Sequence, residues 1–218
     1  MKPEKFADLA SAGFQLAERL RASVTDAAIV LGIASGGVPA ATVVGKQLGL
    51  PIDLVLIKRL FMPDGPMSPV CATSVAGSLV IDEFSSHIAE LPALDSFVDF
   101  SLRELARREN LCRGGKRVVD IRGKNVILVD NGVHTGSTML CAIRAIRKLD
   151  PFRIVSAVPV VAAESRGAIE SEADEFIYLS SAQNFGHVGF WYSDFTKPSD
   201  EQIRVMLNSS IATFASNH

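Results

Sequence analysis

Residues 126–139 read VILVDNGVHTGSTM, and the reading of this stretch decides the fold. Positions 126–129 are four apolar residues without polar alternation. That is the pattern of a strand buried on both faces, as in a parallel sheet. The run ends in Asp130-Asn131 and enters a loop holding Gly132, Thr135 and Gly136. Ser137 and Thr138 then open an amphipathic helix predicted over 137–148.

Such a strand–loop–helix unit suits an anion. A helix start presents unpaired N–H groups and the positive end of its dipole. Glycines let the backbone close around a phosphate, and Thr135, Ser137 and Thr138 add hydroxyl donors. Just upstream, Asp130 and Asn131 can accept hydrogen bonds from a sugar diol. A phosphate at one end and a diol at the other describe a ribose 5-phosphate. The loop is not a Walker A, because no Gly-x-x-x-x-Gly-Lys-Ser/Thr occurs, and no Gly-x-Gly-x-x-Gly is present. A nucleophile elbow fails because Ile33 stands where Gly-x-Ser-x-Gly needs its first glycine.

Outward from this unit the pattern repeats. Residues 27–33 form an apolar run that ends in Ser35-Gly36-Gly37, and 52–57 form a second run before Lys58-Arg59. Further strands are predicted at 154–161 and 175–179, and a hairpin over 71–81 turning near Gly77. Helices are predicted over 3–22, from 94 to about 110, over 164–171 and over 199–214. Buried strands alternating with helices imply an α/β fold: three layers, a mostly parallel sheet covered on both faces, with a small accessory lobe. We expect a single domain spanning 1–218. The proline-rich segment FMPDGPMSPV (61–70) reads as a long loop that covers the site.

Composition narrows the function. The 218 residues are 48% hydrophobic, enough for one sizeable core. A net charge of −2 argues against a dedicated nucleic-acid binder. The stretch 103–124 holds eight basic residues against three acids, which reads as a solvated helix face and connection before an RNA patch. No apolar run approaches a membrane span, and the N-terminus mixes acids with apolar residues, unlike a signal peptide. Cys71, Cys112 and Cys141 are scattered, so we expect free thiols, no zinc site and a cytoplasmic location.

VILVDNGVHTGSTM resembles the phosphoribosyl-pyrophosphate (PRPP) motif of type I phosphoribosyltransferases, and GIASGGVPAA, VLIKRL, LCRGGKRVVDIRGKNVILVD, AVPVVAAES and VGFWYSDF resemble segments of one bacterial group of that family. The resemblance implies transfer of ribose 5-phosphate from PRPP to a nucleobase or similar nitrogen nucleophile. It implies that Asp130 and Asn131 hold the ribose and act in catalysis. Val133, His134, Thr135, Gly136, Ser137 and Thr138 would hold the 5-phosphate. Ser35, Gly36, Gly37, Lys58 and Arg59 would face the pyrophosphate. It also implies Mg2+, with Asp130 as its protein ligand, and a homodimer. Two positions depart from the pattern: Asn131 replaces a second acid, and Ser35 stands where the group carries arginine. A slow enzyme, or a PRPP or nucleotide-binding regulator, is therefore the alternative. His134, inside the loop, is either a solvent-facing side chain or an added charge for a phosphate. In the aromatic stretch 184–195, Trp191, Tyr192 and Asp194 are candidates for contacts to a base, although most of its rings read as core.

Overall fold

The apolar runs without alternation become the middle of the sheet. The computed structural model describes residues 5–24, 27–60, 70–76, 78–82 and 92–215. In chain order the elements are α1 (Leu9–Leu20), β1 (Ala28–Ile33), α2 (Gly37–Leu48), β2 (Ile52–Leu60), β3 (Val70–Val75), β4 (Ser78–Asp82), α3 (Pro92–Arg113), β5 (Asn125–Val129), α4 (Ser137–Arg147), β6 (Arg153–Ala162), α5 (Arg166–Glu170), β7 (Glu175–Ala182) and α6 (Asp200–Ala215). Seven strands form one sheet in the order β4-β3-β2-β1-β5-β6-β7. β1, β2, β5, β6 and β7 run parallel, and β3 and β4 add an antiparallel hairpin at the β2 edge. The mostly parallel α/β sheet expected from the sequence is present.

Every residue of β1 is buried, so both faces need a cover. Leu16, Val38, Val44, Leu54 and Ile203 pack one side, under α1, α2 and α6. Ile29, Leu31, Met139, Ile143 and Ile169 pack the other, under α4 and α5. β1 leads through α2 to β2, while β5 leads through α4 to β6 on the opposite side. The chain thus diverges at the carboxyl ends of β1 and β5. A crevice opens there, where ligands of such sheets sit. A buried ion group steadies the approach. Arg113 donates to Asp53 at 2.5 Å and to Glu109 at 2.7 Å, and the Ser74 hydroxyl donates to Glu109 at 2.5 Å. This joins α3 to β2 and β3.

Several expectations change. The first helix begins at Leu9 rather than residue 3, because the Asp8 carboxylate accepts from the Ser11 amide at 2.7 Å and caps it there. Phe6 instead pairs in parallel with Tyr192. Phe6, Leu9, Ala12, Phe185, Trp191 and Tyr192 form a third apolar cluster against β6, which is where the aromatic stretch spends its rings. The expectation of free thiols is corrected for two of the three cysteines: Cys71 on β3 and Cys141 on α4 are joined in a disulfide, and Cys112 is free and buried. Their separation of 70 residues gave no spacing signal. The pairing removes the cysteine argument for a reducing compartment. Among the described residues no helix is long and apolar enough to cross a membrane. The proposed covering loop at 61–69 lies outside the described residues.

Candidate functional site

A cavity of about 430 Å³ fills the crevice. Its wall comes from four places: Ile33–Gly36 after β1, Ile57 and Arg59 on β2, Asp130–Met139 after β5, and Val188 with Lys197 from the segment after β7. Close backbone approach makes this possible. A Cβ on Gly37 would lie 2.5 Å from the Val129 carbonyl oxygen, and one on Gly36 would lie 1.9 Å from Nδ2 of Asn131. Both positions therefore exclude any side chain while the two turns stay in contact.

The loop after β5 is held open by its flanks. Val133 bonds both ways with β6, its amide to the Val160 carbonyl at 2.9 Å and its carbonyl to the Ala162 amide at 2.8 Å. The Ser165 hydroxyl donates to the His134 carbonyl, and Phe185 stacks on the His134 ring at 5.7 Å. Gly136 has φ +80°, a left-handed conformation glycine adopts without strain. It stands at the N-cap of α4, and no side chain caps the helix there. The first amides of α4 are thus donors without an intrahelical partner, and they belong to residues that line the cavity. The Thr135 and Ser137 hydroxyls lie 3.2 Å apart, and the Arg59 guanidinium donates to Ser137 at 3.1 Å.

Asp130 and Asn131 line the cavity floor and are nearly buried, 9% and 7% exposed. Burial raises the Asp130 carboxyl to about 7, against the smaller opposing effects of the Asn131 amide, which donates at 2.7 Å, and the Lys197 charge. The Tyr192 hydroxyl donates to the Asn131 carbonyl at 2.6 Å. Burial, and then the Asp130 charge, push this phenol well above its usual range, so it stays a donor.

The structure gathers Ser35, Gly36, Arg59, Asp130, Asn131, Val133, His134, Thr135, Gly136, Ser137 and Thr138 around one cavity. It does not bring every sequence candidate there. Gly37 packs behind the wall against β5. Lys58 points away, its ammonium 4.8 Å from the Phe100 ring. Arg59 donates to Ser137 at the start of α4. Trp191 and Tyr192, the candidates for base contacts, do not line the cavity: both are buried in the third cluster, with the indole N–H on the Phe185 carbonyl. Asp194 is exposed on a different depression beside Asp8 and Pro39. Sequence reasoning missed Ile57, Val188 and Lys197, for no local motif marks them. Of the eight basic residues in 103–124, Arg107, Arg108, Arg113 and Arg122 are engaged by carboxylates, which breaks up the suggested patch.

A mostly parallel sheet with a crevice at the carboxyl ends of β1 and β5, lined by the uncapped start of α4 and the buried Asp130-Asn131 step, is the architecture of a doubly wound α/β protein. The chain belongs to the phosphoribosyl transferase domain family, whose match covers residues 9–193. A Mycobacterium tuberculosis protein named as a candidate phosphoribosyl transferase is 32% identical over 213 residues, 96% of this chain and 48% of that protein. The chain thus spans about half the length of the curated relatives it matches. The crystal structure of TT1426 from Thermus thermophilus has 32% identity and a TM-score of 0.83, covering 94% of this chain and 98% of that one. A Neisseria gonorrhoeae protein solved with bound ppGpp shares the fold at 16% identity and a TM-score of 0.52, covering 96% of this chain and 98% of its own.

Proposed function

We propose that residues 1–218 form one phosphoribosyltransferase-like domain, acting as a homodimer, that transfers ribose 5-phosphate from PRPP to a nucleobase or similar nitrogen nucleophile. The observation that carries this is the uncapped start of α4 behind Gly136, set in one cavity with Asp130. The C1–O bond to pyrophosphate breaks, a C1–N bond forms, and the nitrogen gives up a proton. Positive charge develops on the sugar and negative charge on the leaving group, so positioning and electrostatics supply most of the catalysis. The amides of 133–138 and the hydroxyls of Thr135, Ser137 and Thr138 hold the 5-phosphate, with Arg59 across the mouth. Asp130 and Asn131 hold the ribose hydroxyls. The turn at Ser35-Gly36 holds the diphosphate.

Mg2+ suits these residues. Among the described residues no group of three His, Cys, Asp or Glu gathers into a cage. One cavity-facing carboxylate, Asp130, matches an ion that keeps waters and takes most ligands from substrate phosphates. When bound, Mg2+ would neutralise charge on the leaving pyrophosphate. Val188 and Lys197, at the far wall, are where an acceptor base would lie.

A second reading is a PRPP or nucleotide sensor without turnover. Asn131 favours it, since an amide replaces a full charge beside the developing cation. The test is pyrophosphate release on mixing with PRPP, Mg2+ and a panel of nucleobases. Base-dependent release supports the enzyme. Tight PRPP binding without release supports the sensor, and no PRPP binding overturns both.

A further inference from the structure

Ser35 sits at the diphosphate end of the cavity, yet its hydroxyl is engaged from behind. Arg108, on α3 and 73 residues away in sequence, donates through Nη2 to Ser35 Oγ at 2.8 Å. The same guanidinium grips Asp200, the first residue of α6, with Nε at 2.9 and 3.1 Å from its two carboxylate oxygens. Arg108 therefore ties three elements together: the turn after β1, α3, and the start of α6, three residues beyond the cavity residue Lys197. Arg108 does not itself line the cavity.

Donor polarity fixes what this contact does. A guanidinium only donates, so the serine oxygen must accept. Its single proton then remains to be donated to another acceptor, and Ser35 lines the cavity. A hydroxyl that accepts from a cation also becomes a better donor, because successive hydrogen bonds polarise one another. Asp200 engages both Nε and Nη2 of the guanidinium, which opposes a swing of the fork into the cavity.

We infer that Arg108 is a positioning residue for the diphosphate end of the site: it holds Ser35 as an acceptor, so that the serine proton is donated to a phosphate oxygen of PRPP or pyrophosphate. This rests on the phosphoribosyl reading of the cavity. It also gives the serine turn a share of positive charge without placing a cation in the substrate's path.

Ligand choice separates this role from a purely structural one. Ribose 5-phosphate lacks the diphosphate, whereas inorganic pyrophosphate with Mg2+ is that end alone. Both are titrated calorimetrically into wild type, Arg108→Met, Arg108→Lys, Ser35→Ala and the Arg108→Met/Ser35→Ala double variant. Losing a charge-assisted hydrogen bond should weaken pyrophosphate about tenfold or more in Arg108→Met and in Ser35→Ala. Ribose 5-phosphate binding should hold within about twofold. The double variant should bind pyrophosphate no worse than Ser35→Ala, because the arginine acts through the serine. Arg108→Lys should fall between. Equal loss of both ligands in Arg108→Met, with Ser35→Ala at wild-type affinity, overturns the inference in favour of a structural role. Additive losses in the double variant overturn it too, as does wild-type pyrophosphate binding in Arg108→Met. A wild-type protein that binds neither ligand overturns the phosphoribosyl reading itself, and the inference with it.

Discussion

Under the proposed phosphoribosyl transfer, Asn131→Asp is the substitution that separates holding the ribose from stabilising its cation. The Asn131 side chain is 7% exposed, follows Asp130 directly and touches the turn at Gly36. An aspartate there is nearly isosteric, so packing changes little and charge changes by one. Asp130 is already raised to about 7 by burial. A second carboxylate about 4–6 Å away, at an effective dielectric of about 20, adds roughly 3–4 kcal/mol of repulsion. That is about two to three pH units, so the ligand-free pair shares one proton at neutral pH. In the proposed reaction the oxocarbenium-like transition state reverses the sign. There the added carboxylate faces positive charge, and one well-placed electrostatic partner is worth on the order of 3 kcal/mol. The variant should therefore be less stable than wild type without ligand at pH 8. With PRPP, Mg2+ and the accepted base, its kcat should rise on the order of 100-fold. Thermal melts and a pyrophosphate-release assay read the two effects. If Asn131→Asp left stability, PRPP affinity and rate all untouched, the charge at this position would have no part in the site, and the reasoning would be refuted.

Three further outcomes follow from the same geometry. Asp130 has its carboxyl raised from 3.8 to about 7 by burial, so the folded state holds this proton more tightly than the unfolded state does. Its contribution is greatest below pH 4 and is lost as pH rises to 7, a change of about 4 kcal/mol. Asp130→Asn should melt higher than wild type at pH 8 while losing Mg2+-dependent PRPP binding, as calorimetry would show. The Cys71–Cys141 bridge closes a 70-residue separation, for which chain entropy gives about 4 kcal/mol. Reductant should lower the melting temperature, and denatured protein should titrate one thiol before reduction and three after. Tyr192→Phe leaves the Asn131 carbonyl without its donor and should cost about 1–2 kcal/mol of stability by denaturant titration.

The parts legible in the sequence were those in which neighbours along the chain are neighbours in space. An apolar strand, glycines and a helix start are local, so β5, its loop and α4 could be read at 126–148, and the hairpin at 71–81 likewise. What escaped depends on distant pairing. The aromatic stretch could not reveal that Trp191 and Tyr192 turn inward, because the partner that draws them in is Phe6, at the other end of the chain. Cys71 with Cys141, and Arg108 with Ser35, are joined only once the sheet is ordered. Lys197 reaches the cavity because α6 must start beside α3, where Arg108 meets Asp200. The same logic explains why the departures at 35 and 131 resist reading one at a time. Ser35 is backed by a guanidinium from α3, and Asn131 is pinned by Tyr192 and packed on Gly36. Each altered position is braced by a residue more than sixty places from it or by the facing turn, so the site's electrostatics belong to the assembled crevice and not to the motif alone.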